Sequence, residues 1–357
     1  MTDFNPLSPS PAGPLPTMRV LGAPLIRGCI EADRPAVVDV VKDAYLSHHR
    51  GCTSNPHSTF LRFPNQPRNR IIALPAHLED GSPVSGIKWI ASYPENPVRG
   101  IPRASAVMVL NDESTGYADT LMEASVISSA RTAASGMLAA EMLIGERKAR
   151  RVAVIGAGLI ARQVLDFLRD LDWQVDQFVV HDLDPDHATT HAQRIQISST
   201  EADSTTAPTA ADAIRDSDLV IITTVASTPH IHDVNLFEHH PVVLHLSLRD
   251  LGPDIIESAE NFTDDVDHAV RERTSLELAA IRHRDRVGQV PNGELPFIAG
   301  TIGHLLEGSR TRTPGRTAIF SPFGLGVLDL AVARWVTRSL PEAGTRVPGF
   351  YDTLADD

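Results

Sequence analysis

The stretch RRVAVIGAGLIARQV, residues 150–164, decides the fold of this chain. Its first half, Val152 to Ile155, is apolar and largely β-branched, which is typical of a buried strand. Its second half has apolar residues at helical spacing, and Gly156 and Gly158 lie between the two halves. A strand that turns into a helix through closely spaced glycines is where a dinucleotide pyrophosphate binds in doubly wound α/β sheets.

Each small residue of this turn has a physical role. Gly156 permits the tight turn, and Gly158 lets the backbone come close to the phosphates. Ala161 lets the helix pack near the strand while the amino end of the helix faces the anion. The predicted cofactor contacts in this stretch are Gly156, Gly158, Leu159, Ile160 and Ala161.

An acidic residue indicates which dinucleotide binds. Asp182 ends a second apolar strand, in QFVVHDLDP (177–185), where a carboxylate accepts hydrogen bonds from the ribose hydroxyls. A carboxylate there repels a ribose phosphate, so NAD is favoured over NADP. The alternative is a glycine turn that binds no cofactor, but strand, glycines, helix and acid all agree with an NAD site.

Composition limits the classes of protein to consider. The chain has 357 residues, of which 42% are hydrophobic, and this is enough for a large core and two domains. A formal net charge of −13 with no basic block disfavours nucleic acid and anionic membranes as partners. Cys29 and Cys52 lie far apart, which excludes a disulfide framework and indicates a reducing compartment.

Targeting signals are absent from the sequence pattern. Residues 1–17 are Pro-rich and lack a basic start and an apolar core, so they predict a disordered lead rather than a signal peptide. No apolar run is long enough to span a bilayer. The predicted location is therefore the cytoplasm.

Hydrophobic patterning predicts the remaining elements. The first part of the chain is predicted to form a helix over 31–50, short strands between 68 and 110, and a small-residue helix over 119–143. Strands and helices then alternate to about residue 320, which predicts a Rossmann-type doubly wound parallel sheet within an α/β fold. The segment 198–213 is predicted to be a loop that enters a short helix. A final apolar helix, 327–340, is expected to return to the first domain.

Lys88 is a charged residue in an apolar strand. Its neighbours on the same strand face are Gly86 and Ile90, so its ammonium is expected to be partly desolvated. Desolvation lowers the pKa of a lysine and prepares it for proton transfer or for pairing with a substrate. The alternative is a lysine whose ammonium reaches solvent from an edge strand.

Arg131 and Asp250 are two further candidates. Arg131 lies in a largely apolar helix, where a guanidinium needs an anion, either a ligand carboxylate or phosphate or an internal partner such as Glu123 or Glu141. Asp250 follows a buried strand, at the carboxyl edge where ligands of α/β sheets bind. The alternative role of Asp250 is to cap a turn before Gly-Pro.

Histidine spacing gives a weak metal signal. His187 and His191 have the i, i+4 spacing of metal ligands, and His230 and His232 flank Ile231. No acid or cysteine completes a site with either pair, so no metal is predicted. The sequence also lacks a nucleophile elbow and the phosphate-binding loop of NTPases.

Seven segments, taken in order, resemble the ornithine cyclodeaminase and μ-crystallin family. Each segment alone is modest evidence, but their shared order from about residue 60 to 340 is specific. The segments are GIKWI (86–90), LNDESTGY (110–117), MEASVISSARTAA (122–134), VAVIGAGLIA (152–161), VHDLDP (180–185), ITTVAS (222–227) and FSPFGLGVLDLA (320–331).

The resemblance implies a homodimer of two-domain subunits. An α+β substrate-binding and dimerisation domain is built from both chain ends, 18–145 and 325–357, around an NAD-binding domain at 146–324. Lys88, Arg131 and Arg62 fall on substrate-binding positions of the family, and Asp250 falls on its catalytic aspartate. The cofactor contacts that the resemblance implies outside the glycine turn are Arg131, Thr132, Thr224, Val225, Ser227 and Gly324.

Within the family, the first domain is similar to dehydrogenases of 2,3-diaminopropionate biosynthesis. Ile72 stands where cyclodeaminases carry a glutamate, which argues against ornithine. The resemblance implies that N-(2-amino-2-carboxyethyl)-L-glutamate is oxidised with NAD and hydrolysed to L-2,3-diaminopropionate and 2-oxoglutarate, for siderophore or peptide biosynthesis. Arg103 is a third candidate carboxylate ligand, and Lys88 is expected to bind a carboxylate and to relay protons. Asp250 is expected either to accept a proton from the secondary amine or to activate the hydrolytic water.

The resemblance also implies a pathway partner and leaves two other functions open. The partner is a pyridoxal-phosphate-dependent synthase that supplies the conjugate. The alternatives are a cyclodeaminase or another amino-acid or imine dehydrogenase of the family, and a non-catalytic nucleotide-bound protein like μ-crystallin.

Overall fold

The computed structural model describes residues 15–198, 202–287 and 295–351, and within them the chain forms two eight-stranded sheets with helices packed against them. The strands are β1 (Met18–Leu21), β2 (Thr53–Ser54), β3 (Thr59–Phe63), β4 (Gln66–Leu78), β5 (Val84–Ser92), β6 (Ala104–Asn111), β7 (Ala118–Glu123), β8 (Lys148–Ile155), β9 (Gln174–His181), β10 (Asp203–Thr206), β11 (Leu219–Ile222), β12 (Val242–His245), β13 (Glu260–Thr263), β14 (Ile298–Thr301), β15 (Ala318–Phe320) and β16 (Thr345–Val347). The helices are α1 (Ala23–Ala32), α2 (Arg34–His49), α3 (Ser125–Ile144), α4 (Leu159–Asp170), α5 (Pro185–Ser198), α6 (Ala210–Ile214), α7 (Pro253–Ser258), α8 (Val266–Ala269), α9 (Ser275–Val287), α10 (Ile302–Leu306) and α11 (Gly326–Ser339).

The second sheet is doubly wound, as the glycine stretch predicts. Its strand order is β10-β9-β8-β11-β12-β15-β13-β14, and every pair in it is parallel. All residues of β11 and β12 are buried because helices cover both faces of the sheet, which is why these strands are continuously apolar. The prediction of an α/β fold with a Rossmann-type parallel sheet is confirmed.

The first sheet is mainly antiparallel, in the order β16-β1-β7-β6-β5-β4-β2, with β3 paired to β4. Side chains alternate between its two faces. On one face the sheet meets α11, where Leu330 lies close to Gly86 of β5. On the other face Trp89 and Val107 are 43% and 41% exposed. The final helix, α11, therefore brings the chain back to the sheet formed by its beginning.

Three element predictions need correction. The predicted helix over 119–143 begins with β7, because Thr120 and Met122 are buried at strand spacing, and α3 starts only at Ser125. The predicted helix over 31–50 is part of two helices, α1 and α2, which meet at Asp33, whose side chain caps α2 by accepting from Ala36 N at 3.0 Å. The predicted loop over 198–213 contains a strand, β10, which pairs with β9.

Some predictions fall outside the described residues. They concern residues 1–14 of the predicted disordered lead, residues 199–201 of the predicted loop, and residues 352–357 of the predicted substrate-binding domain. The domain boundaries at 145/146 and 324/325 stay predictions. No helix of the described residues is both long and apolar enough to cross a bilayer.

Candidate active site

The glycine turn between β8 and α4 has the shape that a dinucleotide requires. Gly156 has a φ of +90°, and a Cβ there would lie 3.0 Å from the backbone of Thr223. Gly158 precedes α4 with extended backbone, and no side chain caps the first turn of that helix. Ala161 is fully buried, so α4 packs closely on the sheet. The free amino end of α4 and the glycine turn therefore fit a pyrophosphate.

Asp182 supports the same turn from the end of β9. Its Oδ2 accepts a hydrogen bond of 2.7 Å from Ala157 N, and its Oδ1 accepts from Asp184 N at 3.0 Å. The carboxylate is only half-buried, so it retains the capacity to accept from ribose hydroxyls. The remaining predicted cofactor contacts near this edge are Leu159 and Ile160 at the start of α4, and Thr224, Val225 and Ser227 in the loop after β11, the strand beside β8.

Alanine is expected to impair folding at Gly156 and NAD binding at Gly158. Gly156→Ala adds a Cβ to a residue with left-handed backbone, and this Cβ would lie too close to the backbone of Thr223. We therefore expect the free energy of unfolding to fall by about 1–3 kcal/mol. Nothing lies within 4 Å of a Cβ at Gly158, so Gly158→Ala should fold normally. That methyl group would intrude on the dinucleotide and weaken NAD binding by about tenfold.

Urea unfolding and calorimetric titration with NAD measure the two effects. Gly28→Ala, in α1, is the matched control, because a Cβ there also meets nothing within 4 Å. Unchanged NAD affinity in Gly158→Ala would contradict the assigned cofactor position.

Lys88 and Arg131 share one buried carboxylate, Asp329. Lys88 Nζ lies 2.5 Å from Asp329 Oδ2 and 3.2 Å from Ser128 Oγ, and Arg131 Nε lies 3.2 Å from Asp329 Oδ1. Lys88 and Asp329 are 2% and 0% exposed. Arg131 thus has an internal partner, but it is neither Glu123 nor Glu141. The sequence analysis missed Asp329, although an aspartate in the apolar stretch GVLDLA was a signal.

The shared carboxylate leaves one positive charge in excess. Burial lowers the pKa of Lys88 to about 8, with Arg131 acting in the same direction and Asp329 opposing it. Burial favours protonated Asp329, but Arg131 and Lys88 outweigh it and lower the pKa of that carboxyl. Lys88 therefore exists in both protonation states near neutral pH, which suits carboxylate binding and proton exchange.

Gly324 brings the loop before α11 against Arg131. Its φ is +96°, and a Cβ there would lie 2.7 Å from Arg131 Nη1. The buried carboxylate of Asp264 holds this loop by accepting from Gly324 N at 2.6 Å and from Phe323 N at 2.9 Å. The predicted contact Thr132 lies one residue beyond Arg131, and its hydroxyl donates to Ser128 O.

Asp250 is fully buried at the carboxyl edge of the parallel sheet, where the sequence placed it. Its Oδ1 accepts from Thr224 Oγ1 and lies 3.1 Å from His230 Nε2. Its Oδ2 accepts from Ser247 Oγ at 2.5 Å and lies 3.1 Å from His245 Nε2. Asp250 is thus the centre of a polar network.

The network controls the charge of Asp250. Burial alone would raise the pKa of Asp250, but its contacts with His230, His245 and Ser247 lower that pKa well below the usual range. His245 is fully buried, whereas the His230 side chain is 43% exposed. The sequence analysis assigned no role to either histidine, and their hydrogen bonds to Asp250 arise only in the folded chain.

Two arginines meet at Ser92, the last residue of β5. Arg103 Nη1 donates to Ser92 Oγ at 2.7 Å, and Arg70 is paired with Ser92 across β4 and β5. Ser92 is on the same face as Lys88, about 13 Å further along the strand. Burial lowers the pKa of Arg103, and the charge of Arg70 lowers it further. Arg70 is absent from the predicted site.

Two further arginines lie near Arg70. Arg62 is on β3, the neighbour of β4, and Arg249 is in the loop after β12. Arg62 is paired with Arg70 across β3 and β4, and its Nη2 binds Glu272 Oε2. Arg249 donates to the carbonyl oxygen of Glu272, with its Nη2 at 2.7 Å. We call Arg62, Arg70, Arg103 and Arg249 the arginine cluster.

The histidine pair on α5 is split between surface and core. The His187 side chain is 70% exposed, whereas His191 is buried and its pKa is lowered to about 4, chiefly by burial. Within the described residues, no group of three or more His, Cys, Asp or Glu side chains is arranged to hold a metal ion.

Comparison with known proteins identifies the family. The profile of the ornithine cyclodeaminase/mu-crystallin family matches residues 30–343. The chain belongs to this family. It is 29% identical over 312 residues to N-((2S)-2-amino-2-carboxyethyl)-L-glutamate dehydrogenase of Staphylococcus aureus, which covers 84% of this chain and 88% of the relative.

Solved structures of the family share this fold. Thermococcus litoralis Δ1-pyrroline-2-carboxylate reductase in complex with NADH and L-proline has a TM-score of 0.81 at 22% identity, covering 92% of this chain and 100% of that one. An archaeal alanine dehydrogenase dimer with bound NAD has a TM-score of 0.78 at 23% identity, covering 94% and 100%. The predicted family is confirmed, and so are the oxidoreductase class and NAD as cofactor at the level of the family.

Proposed function

We propose that the protein oxidises N-(2-amino-2-carboxyethyl)-L-glutamate with NAD and hydrolyses the product to L-2,3-diaminopropionate and 2-oxoglutarate. The observation that carries this proposal is the group of six cations on and beside the first sheet, from Lys88 on β5 and Arg131 on α3 to the arginine cluster. The named activity of the Staphylococcus aureus relative supports the same substrate.

The charge balance of this region suits a substrate with several carboxylates. The chain carries a formal net charge of −13, yet Lys88, Arg131 and the arginine cluster collect six cations. Their contacts include only two carboxylates, Asp329 and Glu272, among the described residues. Like charges close together disfavour one another, so a ligand with three carboxylates stabilises this arrangement.

The two ends of the group bind different parts of the substrate in this proposal. Arg131 and Lys88 hold the α-carboxylate beside the reacting carbon, close to Gly324. Arg62 and Arg103 hold more distant carboxylates near Ser92. An extended conjugate therefore lies along β5, whereas a small amino acid reaches only one end.

The chain's own residues manage the protons. NAD, when bound, supplies the hydride acceptor. The sequence analysis expected Asp250 to accept the proton, but its carboxylate is fully buried and already accepts from Thr224 and Ser247. We therefore assign proton acceptance to the more exposed His230 imidazole, which Asp250 orients. The imidazole accepts a proton from the secondary amine during oxidation and, being 43% exposed, releases it to solvent. It then transfers the two protons of the attacking water, one after the other, to the imine nitrogen, while the water oxygen becomes the keto oxygen of 2-oxoglutarate. The carbon–nitrogen bond breaks and the two products are released.

The quaternary structure belongs to the proposal as well. Trp89 and Val107 are paired across β5 and β6 and lie on the open face of the first sheet, which supports a homodimer formed through that face. The substrate-binding and dimerisation domain is then 18–145 with 325–357, and the NAD-binding domain is 146–324. Cys29 and Cys52 are free thiols, in agreement with a cytoplasmic location.

The reaction must be supplied with its conjugate. We propose that a pyridoxal-phosphate-dependent synthase joins glutamate to an activated serine. The 2,3-diaminopropionate then enters siderophore or peptide assembly.

The absorbance of NADH tests the function directly. We expect the purified protein with NAD to produce NADH from the conjugate, and to leave ornithine, alanine and glutamate nearly unchanged. Ile72 faces Ile90 across β4 and β5, so no carboxylate stands there to bind the distal amine of ornithine. Turnover of ornithine or alanine in place of the conjugate would overturn the substrate, and tight NAD binding without any turnover would favour a nucleotide-bound binding protein.

A further inference from the structure

Arg62 already has an anionic partner in the folded chain. Its Nη2 binds Glu272 Oε2, a contact between β3 and the segment that follows α8. The Arg62 side chain is 57% exposed, so a ligand can reach the guanidinium. A substrate carboxylate that uses Arg62 must therefore share or displace Glu272.

The surroundings of Glu272 are cationic on several sides. Arg249 fixes its backbone through two hydrogen bonds to the carbonyl oxygen, 2.7 and 3.2 Å long. Arg70 lies opposite Arg62 in the β3–β4 pair. Burial lowers the pKa of Arg70, Arg62 lowers it further, and Glu272 opposes both. The Glu272 carboxylate thus partly neutralises several guanidinium groups at once.

We propose that Glu272 occupies the subsite of a distal substrate carboxylate in the ligand-free protein, and that a carboxylate of the substrate displaces it from Arg62. This inference rests on the proposed function and names a residue that determines specificity. Arg70 and Arg249 belong to the same subsite, where they add to the charge that attracts the incoming carboxylate.

Displacement explains how the site distinguishes substrates. An amino acid with a single carboxylate is bound by Arg131 and Lys88, and the pair between Arg62 and Glu272 stays closed. A ligand with a second carboxylate at the right distance replaces one ion pair by another, so the charge of the arginine cluster remains balanced. Removing the competing carboxylate should strengthen the binding of dicarboxylates and leave monocarboxylates unaffected.

Calorimetric titration with glutarate and acetate, in the presence of NAD, tests the inference without turnover. We expect Glu272→Gln to bind glutarate about two- to fivefold more tightly than the unaltered protein. The effect is modest because the ion pair that the substitution removes is partly exposed. Acetate binding should not change. Asp267→Asn is the matched control, because it removes a carboxylate of the same region that contacts His57 and Arg271 instead of the arginine cluster.

A second variant checks that the gain acts through Arg62. In the double variant Arg62→Gln with Glu272→Gln, the gain in glutarate affinity should disappear, while thermal unfolding shows that the variants fold. Weaker or unchanged glutarate binding in Glu272→Gln would overturn the inference. Failure of the conjugate to be oxidised, with the expected glutarate pattern intact, would instead overturn only the proposed substrate.

Discussion

Asp329→Asn should unfold far more easily than the unaltered protein and lose nearly all activity. The substitution removes the carboxylate that both Lys88 and Arg131 contact, and it leaves two largely buried cations without that partner. Breaking a buried ion pair by removing one partner costs about 3–5 kcal/mol of stability. Because both cations lose their positions, kcat/KM should fall by about a hundredfold or more.

Urea unfolding and steady-state kinetics measure the two losses. Asp254→Asn is the control, since its side chain is 68% exposed and pairs with Arg282 on the surface, where about 1 kcal/mol or less is expected. A double-mutant cycle with Lys88→Met isolates the part of the effect that passes through Lys88. A stability loss for Asp329→Asn no larger than that of the control would mean that Lys88 and Arg131 are balanced by other groups.

Asp329 also shows where prediction from sequence stops. Lys88 and Arg131 were noticeable because each is a charge within an apolar stretch, a local property. Their common partner is 241 residues from Lys88 and 198 residues from Arg131 in the chain. Nothing local connects an aspartate at the start of α11 to a strand of the first sheet. Only the return of α11 to that sheet brings them together.

The parallel sheet was predictable for the opposite reason. Its strands are short, continuously apolar and separated by helices, and its cofactor turn lies within one stretch around Gly156. The strand β7 was missed because its alternation at Thr120 and Met122 runs directly into the small residues of α3. The composition of the β7 residues is then equally compatible with a strand and with an extension of α3 towards its N-terminus.

The arginine cluster was only half predicted. Arg62 and Arg103 were included, but Arg70 and Arg249 look like ordinary surface arginines in the sequence. Strand pairing places Arg70 opposite both Arg62 and Ser92, while Arg249 comes from the loop after β12. A cluster of like charges that is assembled from two strands and a distant loop depends on tertiary structure. Its members therefore cannot be recognised from local patterns.

His230→Gln and Asp250→Asn are expected to impair the same step. If His230 accepts the proton and Asp250 orients the ring, each substitution should lower kcat by about a hundredfold to ten-thousandfold. Because the two residues act as one unit, the double variant should be little worse than either single variant. NAD affinity, measured by calorimetric titration, should change little in all three.

His232→Gln is the matched control, because this imidazole lies two residues further along the same loop, is exposed, and lies beside Gly252 instead of contacting Asp250. It should keep nearly full activity. If His230→Gln also keeps its activity while Asp250→Asn loses it, the carboxylate itself takes part in the chemistry. Its low pKa would then make it a stabiliser of the positive imine that forms during oxidation, because a carboxylate that stays ionised attracts that charge without accepting a proton.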